Sequence, residues 1–473
     1  MESVLSDVFG AENSRDGNMS QGPQHVLQRK IGLFSATNLV MANMVGTGIF
    51  TTSGFIMGKL QDPTALLLCW LAGGVLALCG ALCYAELGAN FPQAGGEYVF
   101  LRHSFGPAMA FLSGWISLTV GFSAPIAAAS IAFSTYLWPI IGPENVPALV
   151  YKFDGITILT FSIKEGIAIG VILALTLVHY FGLTFGSKVQ NSLTLIKLGI
   201  IGIFICAGFW IGQGDWSNFH APAWSRSLWQ GEFAVSLIFV AFAYSGWNAA
   251  AYLGAEIKNP ARNIPLALIV GTSIVCGLYL LINILYVYSL SPEEMGGVLE
   301  VGAQAASSLF GPRAGVYFSL AITLCLLSLI SAMIMTGPRV YYAMARDGLF
   351  FQWIARVSGS RHTPGGAIFL QACIAALLVL TASFEKLLIY IGFTLSITSL
   401  LTVVGLMRLR RRSGLTAKYR TPGYPVTPLL FIIANLWIVV YCLATTPQAP
   451  IGGLITIGLG LIFFQFFKRR KGV

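Results

Sequence analysis

Apolar segments long enough to cross a bilayer recur along almost the whole chain. A helix needs about 20 mostly apolar residues to span the hydrocarbon core. Of the 473 residues, 56% are hydrophobic and 10% are charged, whereas a soluble protein carries about a quarter charged residues. The sequence therefore predicts an all-α integral membrane protein with no large soluble domain. The twelve predicted spans are 31–58, 65–88, 106–138, 164–182, 188–212, 231–253, 264–290, 314–336, 366–382, 386–407, 427–444 and 450–467.

The distribution of basic residues predicts how these spans are oriented. The net charge is +10, but the charges are concentrated at the two termini and in the loops on the same side, which indicates membrane topology and not nucleic-acid binding. By the positive-inside rule both termini are cytoplasmic, and we expect a multi-pass protein in the plasma membrane, surrounded by lipid. The segments on the opposite side carry only Lys59, Lys152, Lys164, Arg226, Arg313 and Lys386.

The cysteines and the loop sequences give no sign of a cofactor. All eight cysteines fall within apolar segments and none shows a C-x-x-C spacing. We interpret them as buried small hydrophobic residues and not as metal ligands or disulfide partners. The chain has no nucleotide-binding loop, so neither direct use of ATP nor any other cofactor is predicted.

The sequence Gly46-Thr47-Gly48-Ile49-Phe50 lies about halfway along the first predicted span. Glycine weakens helices, and a break at this depth would leave main-chain N–H groups that lipid cannot satisfy. The N-terminus of a half-helix attracts anions, so a substrate carboxylate is one partner that would satisfy these groups. The alternative interpretation is a packing face, because small residues also let transmembrane helices approach closely.

The sixth predicted span carries a second interruption, at residues 242–248. It follows the first by five spans, and an odd number of spans inverts orientation, so the pair predicts two inverted repeats. N–H groups at the first break and carbonyl groups at the second together suit an α-amino acid. Alternatively, Gly246 permits a close crossing, and Tyr244 and Trp247 are interfacial aromatics. The predicted divisions are a cytoplasmic tail at 1–28, the repeats at 29–212 and 213–412, and the last two spans with a basic cytoplasmic C-terminus at 413–473.

Lys197 lies about ten residues into the fifth predicted span, which carries no Asp or Glu of its own. An ionisable group at this depth is costly and indicates a functional site. Two roles remain open: a desolvated amine that binds and releases a proton during transport, or a static amine that donates to unwound carbonyl groups in the place of a sodium ion. Ser328 and Ser331 in the eighth span are candidates to face Lys197 or an ion, although such serines often bond their own backbone.

The acidic residues indicate which substrates are favoured. Glu86 and Glu256 are placed at cytoplasmic span ends and Glu232 at an external end, and spans 3, 8 and 10 carry no carboxylate at mid-depth. A pocket without anionic groups should not favour a cationic side chain, because a second desolvated ammonium would be left unpaired. The sequence therefore favours neutral amino acids.

Six sequence segments, spread over nearly the whole chain, resemble the amino acid/polyamine/organocation superfamily. Within it they are similar to the L-type neutral amino acid transporters and their prokaryotic relatives. The segments are Gly46 to Phe50; Tyr84 to Gly88 with Gly95 to Tyr98; Val189 and Gln190 with Thr194 and Lys197; Phe242 to Asn248 with Glu256, Asn259, Pro260, Arg262 and Asn263; Gly337 to Arg339 with Ala345 to Gly348; and Arg420 to Pro425.

The resemblance implies a LeuT-type fold, with two five-span repeats, discontinuous spans 1 and 6, and two peripheral spans. It implies that Lys197 replaces a sodium ion or carries a proton. Animal members use a cysteine between spans 3 and 4 to bind a heavy chain; this chain has none there, so no disulfide-linked heavy chain is expected. The residues implied in substrate binding are Met44, Gly46, Thr47, Gly48, Ile49, Phe242, Ala243, Ser245 and Gly246, with Phe242 also the gate.

These features predict secondary transport of neutral α-amino acids by alternating access, through exchange, proton symport or facilitation. No enzymatic activity is expected, because the histidines do not cluster with carboxylates and are interpreted as loop or span-end residues. The alternatives are a permease for cationic amino acids or polyamines, and an amino acid-sensing receptor or channel. The histidines are His25, His103, His179, His220 and His362.

Overall fold

The computed structural model describes most of the chain. The predicted cytoplasmic tail lies almost entirely outside the described residues, as do His25 and His220. The described residues are 27–142, 149–153, 156–219, 231–358, 361–381, 384–412, 415–416, 419–445 and 448–471.

Helices account for nearly all of the regular structure. Most pack around one buried apolar core. In chain order they are α1 Leu33–Met44, α2 Thr47–Leu60, α3 Pro63–Asn90, α4 Glu97–Phe105, α5 Pro107–Ile116, α6 Ser123–Ile141, α7 Ile163–Tyr180, α8 Leu183–Trp210, α9 Gly231–Ala243, α10 Ala249–Tyr252, α11 Pro260–Ser289, α12 Pro292–Met295, α13 Val301–Phe310, α14 Pro312–Thr336, α15 Pro338–Arg346, α16 Gly365–Thr381, α17 Phe384–Arg412, α18 Val426–Thr445 and α19 Gln448–Lys471.

The helices confirm a multi-pass membrane architecture. In the described part of the chain, nine helical segments are long and apolar enough to cross a bilayer. Three shorter apolar helices, Glu232–Ala243, Gly365–Thr381 and Val426–Tyr441, coincide with the predicted spans 6, 9 and 11. The first predicted span corresponds to α1 and α2 together, and the sixth corresponds to α9 and α10 together.

Local sequence signals explain where several helices begin. The side chain of Asp62 accepts two main-chain N–H hydrogen bonds from the first turn of α3, and Pro63 occupies the first helical position. Ser162 and Glu165 form a reciprocal capping box at the start of α7. These side chains satisfy N–H groups that have no partner within their own helix, so the polar loop residues determine where these helices start.

The long third predicted span is a single helical run with an irregular middle. A π-helical segment, Ser117–Phe122, joins α5 to α6. Such segments leave local main-chain groups outside the regular hydrogen-bonding pattern and are often found at functional sites. In this protein the π-helical segment lies against the cavity described below.

A β-hairpin departs from the all-α prediction. β1 Leu149–Phe153 pairs antiparallel with β2 Ile156–Phe161 in the linker between α6 and α7. Both strands are rich in β-branched and aromatic residues, which favour extended structure, and each is much shorter than a membrane span. The sequence places this linker outside the bilayer, where strands with open edges are tolerated.

Two buried ion pairs join distant segments of the chain. Arg410 in α17 donates to Glu86 in α3 through its Nε atom, at 2.7 Å. Arg339 in α15 pairs with Glu256, which follows α10, at 3.0 Å. Buried carboxylates require such partners, because an unpaired charge away from water is costly. Both glutamates therefore connect helices, and neither belongs to the wall of the cavity described below.

The prediction that every cysteine is buried is wrong for Cys206 in α8 and Cys373 in α16, which are exposed on the protein surface. The side chain of Cys442 is outside the part of the protein that the structure describes. Membrane helices are apolar on the face that contacts lipid as well as on the face that packs against protein. Hydrophobic context therefore does not distinguish a lipid-facing cysteine from a buried one.

Candidate functional site

The first predicted span is broken at the glycine-rich sequence. Val45 and Gly46 adopt extended main-chain angles between α1 and α2. Gly46 occupies the N-cap position of α2 and has no side chain with which to cap the helix. The first-turn N–H groups of Thr47, Gly48 and Ile49 have no partner within their helix and are available to an anion.

The sixth predicted span is broken at Gly246. Between α9 and α10 the chain forms a turn, and the φ angle of Gly246 is +95°, which other residues rarely adopt. A Cβ atom added at Gly246 would lie 2.7 Å from the main chain of Asn43 in α1. A Cβ atom added at Gly48 would lie 2.7 Å from the Cα atom of Ala243 in α9. The two breaks are therefore in direct contact, and glycine at each of them permits it.

Lys197 binds the broken end of α1. Its amine is fully buried in α8 and donates to the carbonyl oxygens of Ala42 at 3.0 Å and Val45 at 2.6 Å. Ala42 lies in the last turn of α1 and Val45 follows the helix directly, where carbonyl groups have no intrahelical partners. A cation at a helix C-terminus is also favoured by the helix dipole. This is the contact that the static role of Lys197 requires.

Tyr279 in α11 joins the two breaks and was not identified from the sequence. Its hydroxyl oxygen lies 2.7 Å from the carbonyl oxygen of Met44 and 3.1 Å from that of Ala243. One hydroxyl therefore contacts the last residue of both α1 and α9. The available signal was a polar aromatic residue at mid-depth of the seventh predicted span, where a tyrosine hydroxyl needs a buried partner.

Replacing Tyr279 by phenylalanine should slow the amino acid transport predicted from the sequence by roughly 5- to 150-fold. The substitution keeps the ring but removes the one donor shared by two buried carbonyl groups, at a cost of about 1–3 kcal/mol. Initial rates in proteoliposomes measure this effect. Tyr288→Phe, in the same helix, is the matched control and should stay within about twofold of the native protein. Equal rates for the native protein and Tyr279→Phe would show that the bridge is unimportant.

The two candidate serines of α14 have partners other than Lys197. The hydroxyl of Ser328 lies 3.4 Å from Gln190 and 3.4 Å from Thr194, both in α8. The hydroxyl of Ser331 lies 2.8 Å from the Nε2 atom of His179. The two serines, three residues apart in α14, therefore have different neighbours. The sequence alone does not identify these neighbours.

A cavity of about 100 Å³ lies beside the second break. Its wall includes Phe242, Ser245 and Gly246 from the break, with contributions from the π-helical segment, α17 and α18. The other six residues predicted to bind substrate do not belong to this wall. They are Met44, Gly46, Thr47, Gly48, Ile49 and Ala243.

The expectation of a pocket without carboxylates is wrong, because Glu97 forms part of the cavity wall. It is the first residue of α4, and only 2% of it is exposed. This short helix lies between the second and third predicted spans, outside the segments whose carboxylates are considered above. Tertiary packing places Glu97 beside α10, and no periodic signal in a short loop helix indicates such a contact.

The sequence comparisons identify the family of this chain. The amino acid permease family matches residues 31–464. The chain belongs to this family. The permease is 30% identical to the serine/threonine exchanger SteT of Bacillus subtilis over 450 residues, which cover 94% of this chain and 98% of that protein. The sequence resemblance to the superfamily is thereby confirmed.

Two animal transporters are similar over most of their length. The permease is 29% identical to the human b(0,+)-type amino acid transporter 1 over 461 residues, or 96% of this chain and 91% of that protein. It is 27% identical to the large neutral amino acids transporter small subunit 2 of Rattus norvegicus over 470 residues, which cover 96% of this chain and 82% of that protein. The family and these relatives are transporters and not enzymes.

Proposed function

We propose that this permease is a secondary transporter that exchanges neutral α-amino acids across the plasma membrane by alternating access. The observation that carries the proposal is the contact between the two broken helices at Gly48 and Gly246. The uncapped start of α2 suits the substrate carboxylate at Thr47 and Gly48. Carbonyl groups near Met44, Phe242 and Ser245 suit the ammonium group, and Phe242 serves as the gate.

The proposed architecture has twelve spans, with both termini in the cytoplasm. Residues 29–212 and 213–412 form two inverted five-span repeats, and the last two spans are peripheral. The two breaks, five predicted spans apart, support this arrangement, because inverted repeats place their discontinuous helices at equivalent positions. The linker between α6 and α7 has no cysteine, so we propose that the permease works without a disulfide-linked heavy chain.

Purified permease in proteoliposomes tests this function. We expect uptake of labelled neutral amino acid only when the vesicles contain unlabelled amino acid, because exchange requires a substrate on both sides. Uptake into empty vesicles driven by an imposed pH gradient would instead indicate proton symport. Saturable uptake also excludes a receptor, and activity without added protein excludes a required heavy chain.

A second candidate function is the transport of cationic amino acids, and Glu97 on the cavity wall favours it. A buried carboxylate attracts an ammonium group at the end of a substrate side chain. Competition by lysine and by norleucine, which has the same unbranched four-carbon side chain without the amine, distinguishes the two. Neutral specificity predicts that norleucine competes at least about tenfold better than lysine; the reverse order would establish the second candidate.

A further inference from the structure

Glu97 is held in the protein interior by the turn that precedes it. Gly95 and Gly96 both have positive φ angles, +119° and +52°. This turn brings the chain against α10, where the N–H of Gly95 donates to the carbonyl oxygen of Tyr252 at 3.0 Å. Glu97 follows at once as the first residue of α4 and is almost completely buried. Its position beside α10 is therefore fixed by main-chain contacts.

The neighbours of Glu97 are neutral. The hydroxyl of Tyr84 donates to its Oε1 atom at 2.6 Å, and the amide of Asn248 donates to the same atom at 3.1 Å. The hydroxyl groups of Tyr252 and Thr398 also lie close to the carboxyl group and favour its ionised form. Glu86 is paired with Arg410, and Glu256 is paired with Arg339. Glu97 thus differs from Glu86 and Glu256, which have arginine partners.

A carboxyl group in these surroundings can exist in either protonation state. Hydroxyl groups donate to a carboxylate and accept from a carboxylic acid, so Tyr84, Tyr252 and Thr398 suit both forms. Burial raises the pKa of Glu97, and the hydrogen bonds from its neighbours offset only part of that rise. The amide of Asn248 responds to the charge, because a hydrogen bond to a carboxylate is about twice as strong as one to a neutral group.

Among the titratable groups in contact at this position, the carboxyl group of Glu97 is the one that can gain or lose a proton near neutral pH. Tyr84 of α3 and Tyr252 of α10 are the titratable side chains in contact with it, and α17 contributes only the hydroxyl of Thr398. Tyr341 of α15 is a further titratable side chain near Tyr252. Phenols lose their protons only in strongly alkaline solution.

We propose that Glu97 is a proton-binding coupling residue on the substrate path, distinct from Lys197. The ionised carboxylate binds Asn248 and holds α10, the second half of the broken span, against α3 and α4. Protonation weakens the hydrogen bond from Asn248 to Glu97. The helix α10 then separates more readily from α3 and α4, and the cavity opens beside Glu97. The proposal rests on the proposed transport function and adds a second position, outside the two glycine breaks, that controls it.

Amino acid exchange by permease in proteoliposomes tests this role, with equal pH inside and outside so that protein orientation does not matter. We expect the native exchange rate to rise by at least about fivefold between about pH 8 and about pH 5.5, because protonation favours opening. Glu97→Gln imitates the protonated side chain. It should exchange at the acid-limit rate at every pH, with less than about twofold variation.

A second variant and a control make the test independent of one substitution. Asn248→Ala keeps the carboxyl group but removes the amide that responds to its charge, so its pH profile should also be flat. Glu300→Gln changes a carboxyl group on the wall of a separate cavity, and it should keep the native profile. Size-exclusion chromatography establishes which variants are folded.

The outcomes separate this proposal from the proposed function. A native pH dependence that persists in folded Glu97→Gln or in folded Asn248→Ala overturns the role of Glu97. A native exchange rate that does not vary with pH also overturns it and leaves amino acid exchange established. Absence of exchange by the native permease at every pH overturns the proposed function and this proposal together.

Discussion

Replacing Gly48 by valine is expected to reduce amino acid exchange by roughly 100-fold. A Cβ atom at this position would lie 2.7 Å from the Cα atom and 2.8 Å from the Cβ atom of Ala243. Neither atom belongs to a flexible side chain, so the main chains of α2 and α9 would have to separate. Overpacking at such a contact costs about 1–3 kcal/mol or more. The start of α2 would then move away from the turn that faces the cavity.

Initial exchange rates in proteoliposomes measure this loss, after normalisation to folded protein recovered from size-exclusion chromatography. Gly277→Val is the matched control. Gly277 lies in α11, and a Cβ atom added there meets no described atom within 4 Å. We expect this control to keep exchange within about twofold of the native rate, since changes away from packed features have small effects. Native activity in folded Gly48→Val would disprove the requirement for close contact between the breaks.

Replacing Lys197 by methionine should reduce exchange by at least about 100-fold. The substitution keeps most of the apolar volume but removes the donor to the carbonyl oxygens of Ala42 and Val45. Each hydrogen bond from a charged group contributes about 1.5–3 kcal/mol, and no lipid or apolar side chain can replace it. The broken end of α1 would lose the two bonds that position it.

The matched control for Lys197 is Lys188→Met, which changes an exposed lysine of the same helix. Its exchange rate should stay close to the native rate. Lys197→Arg separates the two roles left open by the sequence, because arginine keeps its charge at every working pH. If Lys197 is a static donor, the arginine variant keeps a native-like pH profile. A flat profile in that variant would assign the proton to Lys197 and contradict the role proposed for Glu97.

Sequence reasoning was accurate where a local rule determines the outcome. The position of the first break follows from helix-weakening glycines at mid-span, and the second follows from Gly246 in its polar turn. The depth of Lys197 identified it as a residue of interest, because few lysines lie within a membrane span. The substrate roles of the predicted binding residues and of Phe242 remain proposals. The predicted spans agree with the helices to within several residues, apart from the extension of the eighth span through α15.

The errors concern contacts between distant segments. Tyr279 was not singled out, although its hydroxyl joins α1 to α9. The proposed coupling role of Ser328 and Ser331 stays a prediction, and the sequence around them does not indicate that Gln190 and His179 are their partners. Two cysteines thought to be buried are exposed. In each case the helix was predicted correctly, but its rotation about its own axis was not known.

The amino-acid sequence by itself determined that this protein spans the membrane several times and that two of its spans are interrupted by glycine. Hydrophobic length and glycine content act along a single segment, so no partner is needed to deduce them. Only the tertiary structure decided that the breaks touch, that Lys197 and Tyr279 bind their carbonyl groups, and that Glu97 reaches the cavity. These features depend on how helices far apart in the chain rotate and pack against one another, and an apolar sequence constrains that rotation only weakly.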